Sequence, residues 1–318
     1  MFDTSVKRYI GYSSNENRIG LGDFVIVTEQ VPLARALDFH DDVGVHMANS
    51  SDNGTTRVHV MLLVLDYDGT ISSLNVSRTR SRVPKKTRIV LHRIGKSIPI
   101  AIVTTKDLSF VMPRTPFAHA WSGVSGLEAK IDGKIVRRKD YVRRLRRISH
   151  ALEYAKSCLT CNEIEIEEKR DLNRRTIAFC VDWRRAPDTE EVINEANKVA
   201  VYCEELGLEV VGFGRQPFFD VYPLPVDKGR ALEEMLRELK LKKGVLYMGD
   251  SEADNPAFER SDVSMGVMHE NSCAGEVVCD YLVEFADVPS FLSMLLANHF
   301  LFDSGFPMIR RNLEKVKR

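Results

Sequence analysis

Five apolar residues, Met61-Leu-Leu-Val-Leu65, run without interruption into Asp66, and a second aspartate, Asp68, follows one residue later, ahead of Gly69 and Thr70. An apolar run this short, with no polar side chain alternating through it, is the pattern of a strand covered on both faces, as in a parallel sheet flanked by helices. Two carboxylates this close repel each other, are costly to desolvate and attract cations. A buried strand can deliver them only to the loops at the carboxyl edge of its sheet, where ligands bind in open α/β folds. The stretch therefore points to an α/β architecture with a charged site at the end of its first core strand.

The residues after Thr70 keep to that scheme. A polar loop, a helix around Lys85 to Lys96 and a second apolar strand, IPIAIVTT, make a strand–helix–strand unit of parallel type and put Thr104 and Thr105 at another strand end. Between about Ser122 and Asp220 the pattern changes. GLEAKIDGKIVR alternates around an Asp132-Gly133 turn, and a basic helix, DYVRRLRRISHALEYAKS, follows it. NEIEIEEK and RRTIAFCVDWR read as partner strands, and DTEEVINEANKVAVYCEELG as an amphipathic helix opened by an Asp or Thr cap. The parallel pattern then resumes with a helix, DKGRALEEMLREL, a strand, GVLYMGD, that ends at Asp250, a further strand, DVSMGVM, and a closing helix, VPSFLSMLLANHFL. The expected fold class is α/β: a Rossmann-like parallel-sheet core built from residues 59–121 and 222–318, with an α+β cap, residues 122–221, inserted into it. Residues 1–58 are turn-rich and polar apart from DFVIVTEQVPLARAL, and read as a poorly ordered extension or as sequence ahead of a functional start at Met61.

Charge and cysteine usage exclude several classes of partner. Forty-five basic residues balance forty-five acidic ones, which gives no electrostatic footprint for nucleic acid or an anionic membrane. The longest apolar runs are too short to cross a bilayer and the first residues lack a signal core, so a cytoplasmic protein is expected. Six cysteines contain a single C-x-x-C pair, Cys158 and Cys161; a structural zinc site needs four ligands, so these thiols read as packing residues.

Four features fall at strand ends or at the start of a helix, in the order Asp66 with Asp68, Thr104, Lys228, and Asp250 with Asp254. The segments that carry them, DYDGT, AIVTT, DKGRAL and GDSEADNPAF, together resemble the four motifs of the haloacid dehalogenase superfamily of phosphotransferases. The resemblance implies a nucleophilic role for Asp66, which would form an aspartyl-phosphate that water later hydrolyses. It implies that Asp68 protonates the leaving oxygen and then deprotonates the water. A Mg²⁺ ion would be held by Asp66, Asp68 through its backbone carbonyl, and Asp250, with Asp254 completing the shell through water or orienting Lys228. Gly69 would permit a turn that aims N–H groups at phosphate, Thr104 or its neighbour Thr105 would donate to a phosphoryl oxygen, and Lys228 would neutralise charge in the transition state.

The insertion follows the second motif and ends just before Lys228, as in members of that superfamily with a C2-type cap, which cover sugar phosphates. Within them the resemblance is closest to trehalose-6-phosphate phosphatases, whose caps carry an E-x-K strand and an H-Y-R strand. Here the first is Glu167-Glu168-Lys169; the second is VDWR, with Asp182 and Trp183 in place of His and Tyr and Arg184 retained. Glu167, Lys169, Trp183 and Arg184 are thus candidate substrate residues, Lys169 and Arg184 as donors and Trp183 as a stacking face. By residue type alone, Glu167, Lys169 and Arg184 equally suit pairing across neighbouring strands. The chain departs from the family in reading TTK, with Lys106, where S-G-R is usual, and GDS, with Ser251, where G-D-D is usual. The GDSEAD form is also similar to mannosyl-3-phosphoglycerate and sucrose phosphatases. The expected function is a Mg²⁺-dependent phosphatase for a small phosphorylated sugar, trehalose 6-phosphate first, with those two substrates or a phosphomutase as alternatives and a sugar-phosphate-binding regulatory module as the non-enzyme reading.

Overall fold

The structure, a computed structural model, describes residues 55–74, 76–212, 217–270 and 277–313. The expectation for the first fifty-four residues of the extension lies outside them. The described chain forms β1 (Arg57–His59), β2 (Leu62–Leu65), a helix at Lys85–Ile94, β3 (Ile100–Val103), β4 (Ala120–Gly123), and a hairpin of β5 (Glu128–Ile131) and β6 (Lys134–Arg137). A helix at Leu145–Cys158 leads into β7 (Glu165–Arg170) and β8 (Thr176–Asp182), and a second at Glu190–Glu205 into β9 (Glu209–Gly212) and β10 (Phe218–Tyr222). After the helix Lys228–Glu238 come β11 (Val245–Gly249), β12 (Val263–Met268), β13 (Tyr281–Glu284), a helix at Val288–Ala297, β14 (Leu301–Asp303) and β15 (Ile309–Arg311).

The main sheet has the order β15-β13-β12-β11-β2-β3-β4-β5-β6, and its six inner strands, β13 to β4, are parallel. Antiparallel pairing is confined to its margins. Every residue of β2 is buried. Leu63 and Leu65 enter an apolar layer with Leu91 and Phe291, whereas Leu62 and Val64 enter the opposite layer with Leu232 and Met235. A strand sandwiched in this way has no face left for polar residues, which is why its sequence is apolar throughout. The chain winds from β2 towards β3 and β4, then returns on the other side of β2 as β11. The order therefore switches direction between β2 and β11, the place where doubly wound sheets open a crevice at their carboxyl edge.

The hairpin around Asp132 and Gly133, grouped by sequence with the insertion, is hydrogen-bonded to β4 and prolongs the main sheet. Both turn residues have positive φ, 49° and 75°, as a two-residue hairpin turn requires. Ala129 and Ile131 pack onto the main core while Lys134 and Ile135 are exposed, so the alternation marks a marginal strand with one covered face.

The inserted segment makes a second sheet, β7-β8-β10-β9, under the helices Leu145–Cys158 and Glu190–Glu205. Thr189 caps the second helix by accepting from Val192 N, the Thr alternative of the expected cap. Phe179, Val181, Phe219 and Val221 meet the helices. In β7, Ile166 shares that face, so the period of two turns Glu165, Glu167 and Lys169 to the other face. Among the described residues the cysteines are unbonded, with Cys203 and Cys279 buried, and no helix is long and apolar enough to cross a membrane.

Candidate active site

Asp66 stands at the end of β2 and Asp250 follows β11, so the direction switch of the sheet brings the two aspartates together from opposite ends of the chain. Lys228 begins the helix that precedes β11, whose cap Asp227 accepts from Arg230 N at 2.7 Å. Its ammonium lies 3.0 Å from Asp66 Oδ2 and 2.8 Å from Asp254 Oδ1. Asp254 is fully engaged. Its Oδ1 also accepts from the Tyr247 hydroxyl at 2.8 Å, and its Oδ2 accepts from the backbone N–H groups of Asp250 and Ser251 and from the Ser251 hydroxyl. Asp254 thereby fixes Lys228 and the loop after β11, and Ser251, at the position where G-D-D is usual, becomes part of that brace.

The electrostatics follow from burial. Desolvation pushes the Asp66 carboxyl up to about 7, although Lys228 opposes the rise. Asp250 is raised well above the carboxylate range by burial and then by Asp66 and Asp254. Burial works against the Lys228 ammonium, but Asp254 and Asp66 outweigh it and hold its pKa above the ordinary value. Three carboxylates, from Asp66, Asp250 and Asp254, have oxygens within 4.8 Å of one another. Asp66 Oδ1 is buried with no hydrogen-bond partner. An unpartnered buried oxygen beside a second carboxylate whose charge is disfavoured is a donor set that fits a hard divalent cation. Asp66 and Asp250 supply the free oxygens, since those of Asp254 are already committed to five donors.

The turn after Asp66 allows only glycine at position 69. Its φ is +74°, and a Cβ there would fall 2.0 Å from Asp250 Oδ2. His269 Nε2 donates to the Gly69 carbonyl at 2.7 Å, and its ring stacks on Phe285. Asp68 is not one of the three clustered carboxylates: it lines a cleft, and its carboxylate lies 3.5 Å from Lys106 Nζ. Thr104 continues the β3 ladder through Thr104 N to Ser122 O, is buried, and accepts from Lys106 N at 3.2 Å, whereas Thr105 is half-buried.

The cleft, of about 300 Å³, lies between the two sheets, with Asp68, Arg78, Lys106, Glu167, Asp182 and Arg184 among its lining residues. Of the four cap candidates, Glu167 and Arg184 line it. Glu167 receives Lys106 Nζ at 2.9 Å and Arg78 Nη1 at 2.5 Å. Arg184 is held by Asp182, two residues before it, and its guanidinium lies over the Phe218 ring. Lys169 is buried against Asp220 at 2.5 Å, and Asp220 in turn accepts from the Tyr222 hydroxyl. Trp183 packs edge-on to Phe219 in the core of the smaller sheet. Strand alternation does bring Lys169 to the same face as Glu167, but its partner three strand positions into β10 could not be read from β7 alone. Arg78 had no signal either, because the polar loop SSLNVSRTRSRVP holds three arginines and no period to tell which one turns inward.

No family model matches the chain. Among solved structures, a trehalose-6-phosphate phosphatase related protein superposes with a TM-score of 0.60 at 18% identity, over 74% of this chain and 97% of that one. A haloacid dehalogenase-like hydrolase from Bacteroides thetaiotaomicron gives 0.56 at 15% identity, over 74% and 99%. The C-terminal domain of the C. albicans trehalose-6-phosphate phosphatase gives 0.55 at 17% identity, over 76% and 93%. The chain thus has the fold of the haloacid dehalogenase-like hydrolases, an α/β core with a second sheet inserted, as its motif order implies.

Proposed function

We propose that the chain is a phosphoric monoester hydrolase that uses Mg²⁺ and removes phosphate from a phosphorylated sugar, with trehalose 6-phosphate the first substrate to test. One observation carries this reading: Asp66, Lys228, Asp250 and Asp254 converge at the direction switch of the sheet, with Asp68 outside that cluster and lining the cleft. The two aspartates of the opening motif thereby sit in different surroundings, as separate tasks require.

In this mechanism Asp66 attacks phosphorus, the bond to the leaving oxygen breaks, and Asp68 gives that oxygen its proton. Asp68, now a carboxylate, takes a proton from water, whose oxygen displaces Asp66 from phosphorus and frees inorganic phosphate. Lys228, fixed by Asp254, lowers the cost of bringing the Asp66 carboxylate to a phosphate dianion. Thr104 or Thr105 holds a phosphoryl oxygen; the N–H groups of Ile71 and Ser72 donate to Tyr67 O and fix the turn at Gly69 instead. When bound by Asp66 and Asp250, Mg²⁺ supplies further charge neutralisation at the phosphoryl group.

The cleft favours an uncharged, hydroxyl-rich leaving group over one with a second anion. Arg78 and Lys106 already share Glu167, and Arg184 is held by Asp182, so these cations face compensating carboxylates. That balance supports a sugar or disaccharide phosphate over mannosyl-3-phosphoglycerate or a bisphosphate. The deciding experiment is a phosphate-release screen with Mg²⁺ that includes trehalose 6-phosphate, sucrose 6-phosphate and mannosyl-3-phosphoglycerate. Release from a sugar phosphate that is lost in Asp66→Asn supports the reading. Binding of a sugar phosphate without release would replace it with that of a regulatory module.

A further inference from the structure

Arg78 belongs to none of the four motifs, yet it joins two carboxylates and a ring at the cleft. It lies in the loop between β2 and the helix Lys85–Ile94, on the side of the main sheet. One end of its guanidinium donates to Asp107 Oδ2 at 2.5 Å, and the other donates to Glu167 Oε1 at 2.5 Å, across the cleft on β7. Asp107 is itself fixed, because its other oxygen caps the short helix after β3 by accepting from Phe110 N at 2.8 Å. The guanidinium also lies over the Phe110 ring, 4.4 Å from its centroid, which sets its plane. A planar fork held at a carboxylate on each side and by a ring on its face has little rotational freedom, and lysine cannot reproduce that geometry.

The consequence falls on Glu167. Its carboxylate takes Arg78 on Oε1 and Lys106 on both oxygens, at 3.2 and 2.9 Å, and Lys106 reaches on to Asp68 at 3.5 Å. Arg78 thus ties a residue of the smaller sheet that lines the cleft to the main sheet that carries Asp66 and Asp68. Burial opposes ionisation of Glu167, but Lys106, Lys169 and Arg78 outweigh it and hold its pKa at about 2, so the clasp is charged across the physiological range.

We propose that Arg78 is a positioning residue for substrate specificity: anchored on Asp107 and Phe110, it fixes the Glu167 carboxylate beside Asp68 so that Glu167 reads hydroxyls of the leaving sugar. The proposal rests on the phosphatase reading and goes beyond it, because it names a residue outside the phosphoryl site that selects the alcohol. An ester without sugar hydroxyls has nothing for Glu167 to accept from, so it is the internal control.

The test uses the full chain with Mg²⁺ and two substrates, p-nitrophenyl phosphate and the sugar phosphate that the screen shows to be turned over fastest. Arg78→Ala is expected to lower the ratio of kcat/KM for the sugar phosphate to that for p-nitrophenyl phosphate by about tenfold, the change residing in KM, as for a loss of one charge-assisted contact. Arg78→Lys recovers only part of that ratio. Arg78→Ala combined with Glu167→Ala lowers it no further than the stronger single variant, since both remove one device. An equal loss on both substrates, or no change on either, overturns the proposal and leaves the phosphatase reading standing. A wild-type chain that hydrolyses p-nitrophenyl phosphate but no sugar phosphate also overturns it. A wild-type chain inactive on both esters overturns the phosphatase reading itself.

Discussion

Asp66 and Asp254 are both buried carboxylates within reach of Lys228, yet their removal is expected to have opposite consequences. Asp254 accepts from five donors, so Asp254→Ala leaves the buried Lys228 ammonium with Asp66 alone and strips a tyrosine hydroxyl and two backbone N–H groups of their acceptor; breaking a buried pair of this kind costs about 3 kcal/mol or more. Asp66 is desolvated with one oxygen unpartnered, so Asp66→Asn gives up a carboxylate that the apo fold does not favour. In chelator, Asp66→Asn should melt within a few degrees of wild type or above it while losing turnover, and Asp254→Ala should melt far lower. Residual turnover near wild type in Asp66→Asn would remove it from the nucleophile role. Gly69→Ala tests the turn: with φ of +74° and an Asp250 oxygen at the Cβ position, it should lose most activity even if the chain folds. These residues were legible in sequence because each sits at a fixed offset from a strand end. The five-donor brace on Asp254 was not, since Tyr247 and Ser251 are ordinary strand and loop residues until the fold points them at one carboxylate.

At the scale of elements, alternation in β7 announced two faces but not their partners. Glu165-x-Glu167-x-Lys169 shares one face, and the sequence offers no reason why Glu167 should meet Lys106 and Arg78 from the main sheet while Lys169, two residues on, is taken by Asp220 of β10. That division depends on sheet order, a long-range property. The hairpin β5–β6 makes the same point, because an alternating pair of strands is equally compatible with an inserted sheet and with the margin of the main one. The tie between sheets through Glu167 has a pH signature. With a folded pKa of about 2 against an ordinary 4.5, its contribution to stability is fully present above pH 4.5 and is lost as pH falls towards 2. Partial exposure of the Glu167 side chain reduces the contribution to about 2 kcal/mol. Urea unfolding of wild type and Glu167→Gln should therefore differ near pH 7, and the gap should shrink steadily as pH falls from 4.5 towards 2. A gap that persists at low pH would show that the ion pairs are not its source.

Over the whole molecule, the main sheet is assembled from two lengths of chain separated by the inserted one, and β2 is paired on one side by β3 and on the other by β11. The candidate site was legible because its groups lie at strand ends or at a helix start on either side of that separation and keep their order. The cleft beside it was less so, because it is built where the two sheets face each other. The amino-terminal boundary also depends on the assembled fold. Met61 is where the apolar run begins, but the sheet does not begin to gain stability there: Val60 is fully buried and donates its N–H to Phe300 O at 2.8 Å, and β1 pairs with β14 through Arg57 to His59. A chain beginning at Met61 would expose the partners of that ladder and remove the Val60 side chain from the core. Losing one buried valine costs about 1.5–3 kcal/mol, to which the exposed Arg57–Asp303 pair adds little. For a fold of this size that corresponds to a fall in Tm of roughly 5 °C. The active-site strands are untouched, so the shortened chain should retain wild-type KM at temperatures where it is folded. Melting curves of the two lengths, paired with phosphate-release kinetics at 25 °C, separate the outcomes: an unchanged Tm would place the start of the stable fold at Met61 after all, and a changed KM would bring the segment before it into the site.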